Sequence, residues 1–313
     1  MEGYHKSVLL NEVMDALNIR DAWYLDATLG DGGHSIEVIK RGGKVLGIDQ
    51  DPQALERVQK RFEQEGIESS KFKLIQGNFR DLKNLIQSAK WRDEQTESEI
   101  KFAGIIFDLG VSSMQLENPE RGFSLRKDGP LDMRMDQTFG LTALDLINAG
   151  GRKDLYELFK KFGEEKSAWT LADAIVSARE IKPFSTTLDL ANLIAKRVRK
   201  KGRIPAGHAE QGFAGRHPAT QVFQALRIAV NDELGSLEEG LDQVIDLIEK
   251  NGCICVISFH SLEDRICKTT FRQWEDQGLG KVLDKKPLEP KEAEVLVNPR
   301  SRSAKLRVFR VKG

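Results

Sequence analysis

The chain has 313 residues, 40% hydrophobic and 31% charged, the balance of a soluble globular protein with a sizeable core. Lys plus Arg and Asp plus Glu both number 48, so the formal net charge is zero and any nucleic-acid contact must rest on local charge. Charges scattered through Met1–Leu17 leave no signal-peptide core, the apolar run Cys253–Phe259 is too short to span a bilayer, and three cysteines without framework spacing argue against a disulfide scaffold; a cytoplasmic protein without membrane association is expected.

The first third alternates strand and helix. Strands are predicted at Trp23–Ala27, Lys44–Ile48, Lys73–Gln76 and Gly104–Asp108, with a helix from Ser35 to Lys40. A second helix is bracketed by Asp51 as cap, Pro52 in its first turn and Gly66 at its end, with Ala54, Leu55, Val58 and Phe62 as its buried stripe. This rhythm predicts a parallel, doubly wound α/β sheet. Trp91–Lys101 reads as a charged loop. Ser112–Thr138 is rich in Gly, Pro and charge and too long for an ordinary connection.

Helical stripes follow at Leu155/Leu158/Phe159/Phe162, Leu171/Ala172/Ile175/Val176 and Leu190/Leu193/Ile194/Val198, then a Gly- and Arg-rich stretch, Gly202–Arg216. Helices over about Ala219–Leu234 and Ser236–Lys250 precede a strong strand, Cys253–Phe259. Val295–Val297 and Leu306–Val311 are expected to close the sheet as an antiparallel pair. The economical organisation is one discontinuous α/β domain, residues 1–112 and 213–313, interrupted by a helical insertion, residues 113–212. Cys253, Cys255 and Cys267 read as small buried hydrophobes, and no metal site is evident.

The most informative segment is Asp26-Ala-Thr-Leu-Gly30-Asp-Gly32-Gly33-His34, between two predicted strands, with Asp49 ending the second. Glycines let the backbone turn sharply beside a ligand, and an acid at the next strand end accepts ribose hydroxyls. Its residues fit either NAD or S-adenosylmethionine, so an NAD-dependent dehydrogenase stands as one alternative and a non-catalytic nucleic-acid-binding or regulatory protein as another. His34 is assigned a backbone role at the helix start. Phe79, just past the third strand, is placed to stack on an adenine, and Asp108 ends the fourth strand at the ligand-binding edge; both favour S-adenosylmethionine.

With these residues in view, the chain resembles the bacterial RsmH/MraW family, methyltransferases of a cytidine N4 in small-subunit ribosomal RNA. The resemblance is carried by His5-Lys-Ser-Val-Leu-Leu10, the glycine turn, Asp108–Gln115, Arg121-Gly-Phe-Ser124 and Gly129–Asp136. It continues through His217-Pro-Ala-Thr220, Phe223–Ile228, Ser258–Arg265 and Asn298–Ser303, spanning almost the whole chain. Met114 stands where the family usually has Pro, and the Arg199–Arg216 loop is longer than the family leads one to expect.

The resemblance implies a class I, Rossmann-like S-adenosylmethionine-dependent methyltransferase sheet with a helical insertion for RNA recognition. It implies cofactor contacts at Gly32, Gly33, His34, Asp49, Phe79, Asp108 and Gln115. It also implies a target in the decoding region of 16S ribosomal RNA, as naked RNA or as the assembled small subunit. Transfer to N4 needs an acceptor for an amino proton, for which Asp108 and His260 are the candidates. Local positive charge for RNA is supplied by Lys196–Arg203, with Lys200 and Lys201, and by Arg300–Lys312, with Arg300, Arg302, Lys305 and Arg307. Arg121, Asp132, Arg134 and Asp136 are expected to pair among themselves.

Overall fold

The computed structural model describes residues 6–91, 100–138, 140–200 and 217–313. The chain divides into two compact units, residues 1–112 with 234–313, and residues 113–233. The first begins with α1 (Leu10–Leu17), β1 (Trp23–Asp26), α2 (Gly33–Lys40), β2 (Lys44–Asp49), α3 (Pro52–Gln64), β3 (Phe72–Gln76), α4 (Leu82–Ser88) and β4 (Phe102–Asp108). Helix α3 follows its local code. The Asp51 carboxylate accepts the Gln53 N–H at 3.1 Å, Pro52 occupies the first position where its missing N–H costs nothing, and Gly66 takes a φ of +66° beyond the end. Its Ala54, Val58 and Phe62 are buried.

The second unit holds α5 (Ser113–Glu117), α6 (Ala143–Ala149), α7 (Arg152–Lys161), α8 (Ala168–Ile181), α9 (Thr187–Lys200) and α10 (Thr220–Asn231). Its core is the predicted set of stripes: Leu155 and Phe159, Leu171 and Ile175, and Leu190 and Ile194 are all buried. The aperiodic stretch after α5 is ordered by polar contacts instead. The buried Arg121 guanidinium donates to the carbonyls of Arg134 and Met135 at 3.1 and 2.9 Å, while Arg134 binds Asp132 through two nitrogens. Asn231 accepts the Met135 N–H at 2.7 Å and donates to the Met133 carbonyl at 2.8 Å. These bonds, with packing on α6 and α7, make α10 part of the helical unit. The return boundary therefore lies after Glu233, not at 212/213 as the sequence suggests. Residues 92–99 and 201–216, which the sequence reading assigned to a charged loop and a basic loop, lie outside the described residues.

The chain then adds α11 (Glu233–Val244), β5 (Ile248–Ser258), α12 (Ser261–Asp276), β6 (Gly280–Val282), α13 (Glu292–Val297) and β7 (Lys305–Val311). The helix expected to reach Lys250 stops at Val244, because Ile248 is drawn into β5 beside Phe102. The expected strand at Val295–Val297 is the end of α13. Leu296 and Val297 are 83% and 64% exposed, so this apolar triplet has no covered face, and Glu292 and Glu294 suit a helix N-terminus. The antiparallel partner of β7 is β6.

The seven strands run β3-β2-β1-β4-β5-β7-β6, parallel except for β7. A dinucleotide-binding sheet has the order 3-2-1-4-5-6. Inserting an antiparallel β7 between β5 and β6 gives the class I methyltransferase arrangement and removes the structural ground for the NAD reading. Side chains alternate between two cores, as the strand period requires. Leu25, Ile105, Phe107 and Val256 face α4, α11 and α12, whereas Tyr24, Ile106, Cys255 and Ile257 face α1 and α2. With both faces covered, the ligand-accessible part of this sheet is its carboxyl edge. Among the described residues no helix is long and apolar enough to cross a membrane.

Candidate active site

At the carboxyl edge, β1 runs through Asp26 into the glycine turn. Gly30 and Gly32 adopt φ of +51° and +71°, values that a side chain disfavours. They differ in surroundings. A Cβ on Gly32 would sit 3.0 Å from a Val58 methyl, so this glycine lets α3 pack closely; nothing lies nearer than 3.8 Å to one on Gly30. A Cβ on Gly33 would collide with the Ser7 hydroxyl. From outside the turn, Arg61 donates to the Asp31 carbonyl at 2.5 Å and Arg57 lies 3.2 Å from the Asp31 carboxylate. This clamp from α3 was not read from the sequence, where both arginines look like ordinary solvent-facing charges.

Helix α2 starts at Gly32 with no side chain capping its first amides. Such a helix start presents N–H groups and a partial positive charge to an anion. Across the turn, the Asp49 carboxylate accepts the Gly30 N–H at 2.8 Å and the Asp51 N–H at 2.9 Å. It thereby ties the glycine turn to the end of β2. Burial pushes Asp49 up to about 6, against these two bonds. Asp26 accepts the Ser35 hydroxyl at 2.6 Å and is likewise raised by burial to about 6.

Asp108 ends β4 beside them. Its N–H donates to the Thr28 hydroxyl at 2.6 Å, which fixes the backbone, yet its Oδ1 is buried without a hydrogen-bond partner among the described residues. Burial, reinforced by the charges of Asp26 and Glu263, pushes this carboxyl up to about 8. Its Oδ2 lies 3.7 Å from Nδ1 of His34. The His34 ring is buried, and its Nε2 sits 3.1 Å from the Val8 carbonyl. A carbonyl only accepts, so Nε2 carries the hydrogen and Nδ1 turns a lone pair toward Asp108. Burial holds this imidazole down to about 4, hence neutral. The sequence reading gave His34 a backbone role; its side chain is also part of the site's wall.

The family model described as the MraW methylase family matches residues 2–312. The chain belongs to the MraW methylase family. It is 43% identical to the ribosomal RNA small subunit methyltransferase H of Halothermothrix orenii, over 97% of each chain. It is 46% identical to the protein of the same name from a Synechococcus species, covering 97% of this chain and 91% of that one. A solved rRNA methylase from Streptococcus thermophilus aligns over 98% of each chain with 12% identity and a TM-score of 0.42.

Within this methylase, Phe79 follows β3 on a short turn whose start is capped by Asn78 through the Arg80 N–H at 3.0 Å. One ring edge packs on Phe107, with centroids 5.5 Å apart at 87°, and Gly240 lies against it. His260 follows β5 and caps α12. Its Nδ1 accepts the Glu263 N–H at 3.4 Å, and Glu263 in return accepts the N–H groups of Phe259 and His260 at 2.7 and 3.2 Å. Nδ1 is thus committed to a capping box, while Nε2, 3.2 Å from a Glu263 oxygen, and Asp108 Oδ1 are both buried without a hydrogen-bond partner among the described residues.

Lys305 pairs with Ser258 at the same edge, and the turn Pro299–Ser303 leading into it exposes Arg300 and Arg302 around the buried Ser301. Arg307 departs from the sequence expectation. It is buried and binds Asp264 through two nitrogens, so it is a structural ion pair and not an RNA contact. In the second unit, Gln115 is a buried residue of α5 and Lys200 ends α9; Lys201 lies outside the described residues.

The N-terminal residues also belong to this edge. Lys6 offers its carbonyl to Asn298 at 3.1 Å, and the Leu9 N–H donates to Glu294 at 2.8 Å. With Ser7 against Gly33 and Val8 on His34, residues 6–9 form a strap across the glycine turn.

Proposed function

We propose that this chain transfers a methyl group from S-adenosylmethionine to the exocyclic N4 of a cytidine in the decoding region of small-subunit ribosomal RNA. The residues fit the cofactor. The uncapped amides of α2, at Gly33 and His34, suit the carboxylate of its methionine part. Asp49 has further lone pairs for ribose hydroxyls, and Phe79 offers an apolar edge for the adenine. Gln115 is assigned to the same cofactor through the family motif Asp108–Gln115. When bound, the cofactor supplies an electrophilic methyl on a sulfonium, ready for in-line displacement.

The observation that carries the acceptor side is the buried, unpartnered Oδ1 of Asp108. The lone pair of cytosine N4 is delocalised into the ring, so the amino group needs an acceptor that draws on one of its hydrogens. Asp108, ionised, accepts that hydrogen bond and then the proton. Nδ1 of His34 turns its lone pair toward Asp108 from 3.7 Å, which suits the carboxyl once it has taken the proton, and Thr28 holds the Asp108 backbone. His260 orders the start of α12 beside this centre. Methylation at carbon 5 would instead require a thiolate. All three cysteines are buried, and burial raises the thiols of Cys255 and Cys267, which favours the amino group as acceptor. The target base leaves its stack to reach the site, with Arg300, Arg302, Lys305, Lys200 and Lys201 assigned to the RNA backbone.

Nucleoside mass spectrometry of small-subunit RNA from cells lacking this chain tests the reading. The expected result is loss of one methyl from cytidine N4, restored by the wild-type chain but not by Asp108→Ala. An unchanged modification pattern refutes it, as does calorimetry in which the purified protein binds NAD and not S-adenosylmethionine.

A further inference from the structure

A second positively charged feature lies in the first unit, away from the glycine turn. Between α12 and β6 there is a cavity of about 280 Å³ lined by Lys268, Phe271, Arg272, Glu275, Val282 and Lys285, with Arg307 behind. Its floor is apolar, since Phe271 is buried and Val282 half-buried. Its rim is cationic. Lys268, Arg272 and Lys285 are exposed, and none has an ion pair or side-chain hydrogen bond among the described residues. Of the acidic groups nearby, Glu275 accepts the Val282 N–H at 3.1 Å, and Asp264 is taken by Arg307. In a chain whose charges balance overall, three unpaired cations around one hollow are a local concentration of positive potential.

The placement of these cations gives the hollow a direction. Helix α12 starts just past the carboxyl end of β5, at the edge that carries Asp108. Lys268 and Arg272 are four residues apart on one helix face, about 6 Å along the axis. They lie roughly 10 and 16 Å from the start of the helix at Ser261. Arg265 continues the same stripe toward the site edge, where Arg302 and Lys305 stand. The line of cations therefore leads from the reaction edge down the outer face of α12 and ends at Lys285.

We propose that this groove binds successive phosphates of the substrate RNA strand as it leaves the target cytidine. The inference rests on the ribosomal RNA reading above. Lys268, Arg272 and Lys285 take phosphates, and the apolar floor lies under the intervening sugar. They contact the backbone a few nucleotides from the base that is methylated, so they contribute affinity and register but no part of the transfer step.

The test uses the full chain, a small-subunit ribosomal RNA transcript that the wild type methylates, and binding measured across a salt series. Reversing all three charges (Lys268→Glu, Arg272→Glu, Lys285→Glu) is expected to flatten the log–log salt dependence by about two to three. Affinity near 0.1 M salt should fall by roughly 100-fold or more. S-adenosylmethionine affinity, measured by calorimetry on the same protein, should stay at the wild-type value, which also reports that the fold is intact. The single variant Arg272→Ala should flatten the slope by about one. A triple variant with wild-type salt dependence overturns the groove while leaving the methyl-transfer reading in place. If the wild type methylates neither the transcript nor small subunits from cells lacking this chain, the functional reading itself fails, in a separate assay.

Discussion

Replacing Asp108 by Asn should become progressively more favourable to stability, relative to wild type, as pH rises. The carboxyl is held at about 8 in the folded chain against an ordinary 3.8, chiefly by burial. Between these values the native state binds more protons than the unfolded state, so stability falls as pH rises through this window. At about 1.4 kcal/mol per pKa unit, ionising Asp108 in place costs the native state on the order of 5 kcal/mol, of which roughly 4 develops between pH 5 and 9. Asn carries no ionisation cost, but its buried amide inherits an unsatisfied position worth about 1–3 kcal/mol at every pH. The stability of the variant relative to wild type is therefore expected to rise by roughly 4 kcal/mol from about pH 5 to about pH 9, leaving the variant the more stable at the upper end. Urea unfolding of both proteins at several pH values reads this directly. Asp49 titrates in both chains and cancels in the difference, whereas Asp26, whose charge helps raise Asp108, contributes to the same pH-dependent term. Parallel stability curves for the two proteins from pH 5 to 9 would refute the assignment of a raised pKa to Asp108. In the proposed complex a cationic sulfonium would favour the charged form of this carboxyl, so cofactor binding should release a proton near neutral pH, visible as a buffer-dependent binding enthalpy.

Three further perturbations test other parts of the edge. Asp49→Ala removes both the tether on the Gly30 N–H and the acceptor proposed for the ribose; losing a charged hydrogen bond worth about 1.5–3 kcal/mol should weaken S-adenosylmethionine roughly 10- to 100-fold in calorimetry. Gly33→Ala drives a methyl into the Ser7 hydroxyl and should cost about 1–3 kcal/mol, part of which Ser7→Ala recovers; strictly additive melting shifts would contradict that contact. Asp264→Ala strands the buried Arg307 and should destabilise by about 3–5 kcal/mol in denaturant titrations, whereas Asp264→Ala combined with Arg307→Met should regain much of the loss.

Much of the first unit was legible because its signals are periodic and local. The four parallel strands of the first third, the Asp51–Pro52 helix start and the glycine turn all announce themselves through patterns that packing then satisfies. The places of Asp49 and Asp108 at the carboxyl ends of their strands were legible from where each hydrophobic run stops. What was not legible depended on distant partners. Nothing near His34 in sequence says that the Val8 carbonyl fixes its tautomer. The charge run after Arg300 does not say that Arg307 turns inward to Asp264. A Val-Leu-Val triplet reads equally as strand or helix until the face it buries is known, and at Leu296 and Val297 there is none. The extent of the helical unit was misjudged for the same reason, since Asn231 bonds to a loop almost one hundred residues earlier.

The strap over the glycine turn has a consequence for how the protein is made. Residues 6–9 leave the ribosome long before their fastenings, Glu294 and Asn298, which lie 285 and 292 residues further along the chain. Strand β7, which lies between β5 and β6, follows later still. The glycine turn can form early, but neither its cover nor the sheet beside it can be finished until residues 294–311 have emerged. A nascent chain stalled before Asn298 carries the whole glycine turn and lacks one of the two fastenings of its strap.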